Sequence, residues 1–198
     1  MEVAYGVHGT QIVGAPAWVS EEKFDVAATP DGVGEPSGGQ WTNMLKKLLE
    51  ERFQLVVHRE KKELSAYVIS VGKGGAKNFR KSESTYPLPS LEFNAGKGGV
   101  MLPARNATLG QFASMLQAVV LDRPVVDQTG MVGKFDFELT FLPDDSEFGG
   151  RPPKVVATDD PAPGLSEALS QQLGLRLATE KIAVDVVVVD RVERPSAN

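Results

Sequence analysis

The sequence predicts an α+β fold built from a recurring helix–strand–strand unit, with a mainly antiparallel sheet and helices packed on it. Three observations carry that expectation. Apolar stripes at helical spacing recur in the first, middle and last thirds of the chain, each is followed by β-rich runs, and Glu60-Lys61 and Glu180-Lys181 fall at matching places in two of the copies. One such unit leaves an apolar face of its sheet and helix uncovered, so neighbouring units must pack to make a core. A single compact body over 1–198 is expected, with halves at 1–72 and 100–198 joined by 73–99.

Taken in order, Gly14-Ala15-Pro16-Ala17-Trp18 reads as a turn and Phe24-Asp25-Val26-Ala27-Ala28 alternates like a half-buried strand. Thr29 to Gly39 is too rich in Pro and Gly for regular structure. Trp41, Met44, Leu45, Leu48, Leu49 and Phe53 then fall on one face of a helix, with Lys46, Lys47, Glu50 and Glu51 opposite. Gln54 to Arg59 and Leu64 to Val71 read as a hairpin around a charged turn at Glu60 to Glu63. Gly72 to Gly99 reads as a long surface connection in which Leu91-Glu92-Phe93 is a short strand.

Thr108 opens the next helix, with Gln111 at capping-box spacing and an apolar stripe of Leu109, Phe112, Ala113, Leu116, Val119 and Val120. Pro124 to Val126 and Lys134 to Phe141 follow as strands, with turn chemistry in Asp127-Gln128-Thr129-Gly130. After a loop over 142–164, Leu165, Ala168, Leu169 and Leu173 mark a short helix that Gly174 caps. Leu175 to Leu177 and Val184 to Val189 close the chain, the latter apolar on both faces as an interior strand would be.

Composition narrows the function. The 198 residues are 41% hydrophobic and 24% charged, ordinary values for a globular protein. A net charge of −5, from 21 Lys and Arg against 26 Asp and Glu, has the wrong sign for phosphate neutralisation, so no nucleic-acid partner is expected. The absence of cysteine rules out disulfides, thiolate metal sites and cysteine nucleophiles. No apolar run approaches the roughly 20 residues of a membrane helix. Met1-Glu2-Val3-Ala4-Tyr5 has neither the basic start nor the apolar stretch of a secretory signal.

Five strings in order resemble a known family: Gln11 to Trp18 leading to Phe24–Ala28; Leu48 to Glu60; Arg123 to Phe137; Glu167-Ala168-Leu169 with Gln172 to Leu175; and Glu193 to Asn198. The chain is similar to a soil-associated, largely acidobacterial group of uncharacterised proteins. That resemblance implies no reaction, cofactor or catalytic residue. It implies export, because members begin with a signal and an extra strand-containing segment ahead of Ala4-Tyr5-Gly6, so this chain is expected to start inside the pattern. A looser architectural likeness is to the short N-terminal interaction modules of secretins and TonB-dependent receptors.

Candidate sites are few. His58-Arg59-Glu60 unites an imidazole, a guanidinium and a carboxylate, yet strand neighbours point to opposite faces, so His58 and Arg59 are not expected to converge. His8 lacks the spacing of a zinc ligand, and Asp144-Asp145 and Asp159-Asp160 lack the pattern of a calcium loop. Asp127 resembles a nucleophile at a strand end, but Thr129 stands where a phosphatase-type pattern needs a second Asp. The glycine runs at 72–75 and 96–99 are not phosphate loops, and no Gly-x-Ser-x-Gly elbow occurs. Trp18 and Trp41 read as core. The tail is expected to fold back and pair Arg194 with a surface carboxylate.

The leading expectation is therefore a non-catalytic binding or interaction module of the bacterial cell envelope, without cofactor or metal. Its partner would be a peptide that extends a sheet edge, or an envelope protein. Two rivals stand beside it: a hydrolase or transferase with a site assembled from distant carboxylates, drawing on His58, Asp127 or Asp136, and a ligand-sensing domain with an apolar pocket.

Overall fold

A computed structural model describes residues 1–29, 36–86 and 88–195. The middle of the expected loop, 30–35, and the last residues of the tail, Ser196 to Asn198, lie outside the described residues. In chain order the elements are α1 (Glu2–Tyr5), β1 (Ile12–Val13), α2 (Trp18–Glu21), α3 (Gly38–Phe53) and β2 (Val56–Val71). They continue with β3 (Arg80–Lys81), β4 (Ser90–Leu91), β5 (Asn94–Ala95), β6 (Val100–Ala107) and α4 (Leu109–Met115), whose last turns, Leu116–Val120, are a π-helix. Then come β7 (Val125–Asp127), β8 (Phe135–Phe141), α5 (Leu165–Ala168) with a π-helical extension Leu169–Leu173, and β9 (Leu175–Arg191). The fold is α+β. One sheet is mixed, in the order β1-β9-β2-β7, and the other is antiparallel, in the order β3-β8-β6-β4 with β5 also on β6.

The chain divides into two compact units, 1–64 with 183–198, and 65–182, a division that differs from the expected halves at 1–72 and 100–198. Residues 73–99, expected as a connection, lie inside the second unit and carry β3, β4 and β5.

In the first unit, Ser37 caps α3 through a capping box with Gln40, and the helix closes at Gln54 in a left-handed conformation. Its apolar face is half-buried, and Trp41, expected in the core, is 48% exposed. β1 pairs in parallel with β9, Ile12 opposite Val187, so β9 lies between β1 and β2 as its two-sided apolar sequence requires. Phe24 to Ala28 is not a strand. Its alternation supplies faces, but a strand also needs a backbone neighbour; instead Phe24 packs edge-on against Trp18 and Phe53.

The expected hairpins are absent. β2 and β9 run uninterrupted through Glu60-Lys61 and Glu180-Lys181, as strands of 16 and 17 residues. Glu60-Lys61-Lys62-Glu63 contains none of the Gly, Pro, Asn or Asp that turns require, and its charges face solvent or pair across the ladder, Lys61 with Asp185 at 3.5 Å. One long strand follows the helix in the first and last of the expected units, and two separate strands, β7 and β8, follow it in the middle one.

The second unit is organised on β6 and β8. Val100, Leu102 and Ala104 of β6 are buried and alternate with Met101, Pro103 and Arg105. The sequence reading places no strand over 100–107, where Pro103 has no backbone N–H to donate. β8 matches it with Phe137, Leu139 and Phe141 inward. Thr108 and Gln111 form the predicted capping box of α4, with Gln111 N–H donating to Thr108 Oγ1 at 3.1 Å and Thr108 N–H donating to Gln111 Oε1 at 2.9 Å. Leu109, Phe112, Ala113, Leu116 and Val120 are buried in the core, with the Phe112 ring edge-on to Phe137 at 5.2 Å. Val119, expected in that stripe, is 45% exposed. Val125–Asp127 pairs in parallel with Tyr67–Ile69 of β2 rather than with β8.

Two glycines differ instructively. Gly130 and Gly174 share a left-handed backbone (φ 67° and 66°), but a Cβ on Gly130 meets nothing while one on Gly174 collides with the Gly75 carbonyl. Gly130→Ala should cost about 1 kcal/mol, the conformational penalty alone. Gly174→Ala should cost about 2–4 kcal/mol because backbone must also move. Urea denaturation of both variants measures the difference; equal costs would mean that the 75–174 approach is not held tightly.

Candidate functional site

A cleft of about 350 Å³ opens in the second unit where three elements end. Leu121 and Asp122 follow the last turn of α4, Gly164 to Glu167 begin α5, and Asp144, Ser146 and Glu147 come from the loop after β8. Tyr67 of β2 and Leu177 of β9 complete it. Leu121, Leu165 and Leu177 make its apolar surface.

Most of its polar groups are already matched. Arg123 grips Asp122 with Nε at 3.0 Å and Nη2 at 2.9 Å, and this hydrogen bonding holds the Asp122 carboxyl below the usual range. The same guanidinium lies 5.2 Å from the centroid of the Tyr67 ring, and burial, with Asp122 nearby, pushes the Tyr67 phenol up. Asp144 accepts from Ser146 N–H at 2.7 Å and Ser146 Oγ–H at 2.6 Å, which lowers its carboxyl. Glu167 accepts from Gln171 Nε2 at 2.7 Å.

Glu147 is the exception. It is 6% exposed, yet its carboxylate has one donor, the Asp144 N–H at 3.3 Å from Oε2. Burial pushes its pKa up to about 7 against that hydrogen bond, and the Asp144 charge adds to the rise. Oε1 has no donor among the described residues and is not sealed from solvent, and Glu147 lines the cleft. The neighbouring Phe148 explains why the carboxylate is held there. Its backbone is left-handed (φ 54°), unusual for an aromatic residue, and its ring stacks on Phe141 at 6.3 Å and meets Phe93 edge-on at 5.3 Å. Aromatic packing therefore fixes the turn that buries Glu147.

The residues singled out from sequence have other occupations. His58, on the exposed face of β2, takes Asp190 at Nδ1 (2.9 Å) and Glu60 at Nε2 (3.1 Å), and the hydrogen bonds to Asp190 and then Glu60 raise its pKa. Carboxylates at opposite ring nitrogens share no common point, and no metal-holding group occurs among the described residues. Arg59 turns to the other face and donates to the Tyr5 carbonyl at 3.1 Å, as strand alternation demands. Asp127 Oδ1 accepts from Thr129 N–H and Oγ1–H at 2.9 and 2.7 Å, an Asx turn. Asp136 accepts from Asn106 N–H at 2.9 Å and steadies the bulge in β6. His8 caps a short 3₁₀ turn by accepting from Thr10 N–H at 3.2 Å. Arg194 pairs with Glu22 at 2.6 Å, as expected of the tail, and lies over the Trp18 ring.

Sequence reading missed Glu147, Tyr67 and Asp122. Asp144-Asp145-Ser146-Glu147 looks like solvated loop charge, yet its last member is buried beside Phe148, which packs on the core.

Among known families, the model described as Protein of unknown function (DUF3738) matches residues 1–192. No curated protein and no solved structure matches the chain.

Burial of Glu147 has a stability signature. A carboxyl raised from its ordinary 4.5 to about 7 binds its proton more tightly in the folded state. Its contribution is therefore whole below about pH 4.5 and is lost as pH rises to about 7, by up to about 3 kcal/mol. Glu147→Gln should match the wild type near pH 4 and exceed its stability near pH 8 by about 1–3 kcal/mol in urea denaturation. No gain at the higher pH would mean that the carboxylate is well solvated.

Proposed function

The chain belongs to the DUF3738 family of proteins of unknown function, and on that premise we propose that it is a non-catalytic binding module of the bacterial cell envelope, with the cleft of its second unit as the binding site. The observation that carries the reading is the make-up of that cleft: leucine walls and a tyrosine around a buried carboxylate with one open oxygen. Small concave sites with apolar walls and few convergent polar groups are the usual form of a ligand pocket.

Occupied partners speak against chemistry. Asp122 is held by Arg123, Asp144 by Ser146 and Glu167 by Gln171, so the three carboxylates that share the cleft with Glu147 are already engaged. The envelope location is supported by the likeness of the five strings to exported, largely acidobacterial soil proteins. The looser likeness to secretin and TonB-receptor modules supports an interaction role, with a peptide or an envelope protein as partner. A ligand-sensing domain would use the same cleft.

One observation favours a second reading. A glutamate near 7 is suited to general acid–base catalysis, so the hydrolase or transferase reading centres on Glu147 rather than on His58, Asp127 or Asp136.

Titrating the ¹⁵N-labelled protein with capped Ala-Xaa-Ala peptides covering the natural side chains tests the binding reading. The expected result is saturable shifts for at least one peptide, concentrated at Leu121, Asp122, Glu147, Leu165 and Leu177. Shifts that are absent, or that centre elsewhere, would remove the cleft as the binding site.

A further inference from the structure

We propose that the cleft takes a primary ammonium on a short apolar stem, either a lysine side chain or a free alkylamine, and seats it against the open oxygen of Glu147. This rests on the cleft being the binding site, and adds the chemistry of what enters it.

Charge points to a cation. Asp122, Asp144, Glu147 and Glu167 line the cleft, and no Lys, Arg or His lines it among the described residues. Arg123 pairs with Asp122 and lies against the Tyr67 ring. Asp144 and Glu167 are hydrogen-bonded to neutral groups, so their charge stays in the cleft. Tyr67 is the remaining titratable group, and the helical turns at 116–120 packed against 148–150 carry none. A desolvated carboxylate without a counter-ion gains most from a cation brought to it.

Geometry then chooses among cations. A guanidinium binds best in a fork to both carboxylate oxygens, but Oε2 of Glu147 already accepts the Asp144 N–H. One open oxygen suits a compact ammonium, whose three donors need no fork. The leucines supply the surface along which a methylene stem lies, and about 350 Å³ is at the small end of ligand sites, enough for one such side chain.

The proposal couples binding to a proton. Since Glu147 carries its proton below about pH 7, the ammonium must displace it. The ligand amine keeps its charge over this range, its own pKa being about 10.4. Affinity should therefore tighten roughly tenfold from about pH 6 to about pH 8, with proton release on binding.

Calorimetry on the full chain, in two buffers of different ionisation enthalpy, with capped Ala-Lys-Ala, Ala-Arg-Ala and Ala-norleucine-Ala and with n-butylamine, tests it. The expected result is binding of the lysine peptide, the amine or both, little of the arginine and norleucine peptides, and the stated pH dependence. Binding of the peptide alone identifies a lysine side chain as the occupant, and of butylamine alone a free alkylamine. Glu147→Gln should abolish the pH dependence and weaken binding at least about tenfold at the higher pH. Equal binding of norleucine, or lysine binding that ignores both pH and this substitution, overturns the ammonium proposal and leaves the cleft as a site. Failure of every ligand to bind overturns the ammonium proposal, while the cleft falls as a site only if the full peptide set also gives no shifts there.

Discussion

Burial of the β6–β8 face under helices is the constraint from which the second unit follows. Phe137, Leu139 and Phe141 on one strand and Val100, Leu102 and Ala104 on the other present an apolar surface that α4 and the turns from Leu165 to Leu173 help to bury. Complete burial of side chains this large contributes on the order of 2 kcal/mol each, far more than any exposed ion pair in the molecule. Where those helices end, the cover stops and a cleft remains. Phe148 packs into the same core through Phe141 and Phe93 and carries Glu147 with it. The unusual acid is thus a by-product of hydrophobic packing, which the cleft then places where a ligand can reach it.

The contrast with His58 shows why packing matters more than charge count. His58, Glu60 and Asp190 look more like chemistry on paper, since three titratable groups touch. Their side chains are 46%, 47% and 42% exposed and hydrogen-bonded to one another, so water screens their charges. Glu147 is 6% exposed, with one weak donor and no paired cation among the described residues. An unmatched group in low dielectric carries more potential than a matched cluster in solvent.

What was legible in the sequence follows the range of the forces involved. Local rules held where local forces decide. The Thr108–Gln111 capping box, the left-handed cap at Gly174, the Asx turn at Asp127 and the stripe of α4 are set within a few residues. They failed where a distant neighbour decides. The charged run Glu60 to Glu63 reads as a turn until β9 lies beside it, Phe24 to Ala28 reads as a strand until it has no neighbour, and Pro103 hides a strand that β8 completes opposite Glu138. Glu147 belongs to this second class. Nothing in Asp144 to Glu147 says that rings from β8 and from 93 will bury it.

Packing around Phe148 holds Glu147 in a poorly solvated position, ready to lose its proton near neutrality. The most direct test is the carboxyl ¹³C chemical shift of Glu147, followed by NMR as pH is raised. The account predicts a midpoint of about 7. A midpoint near the ordinary glutamate value of 4.5 would contradict it, because the carboxylate would then be as well solvated as any on the surface.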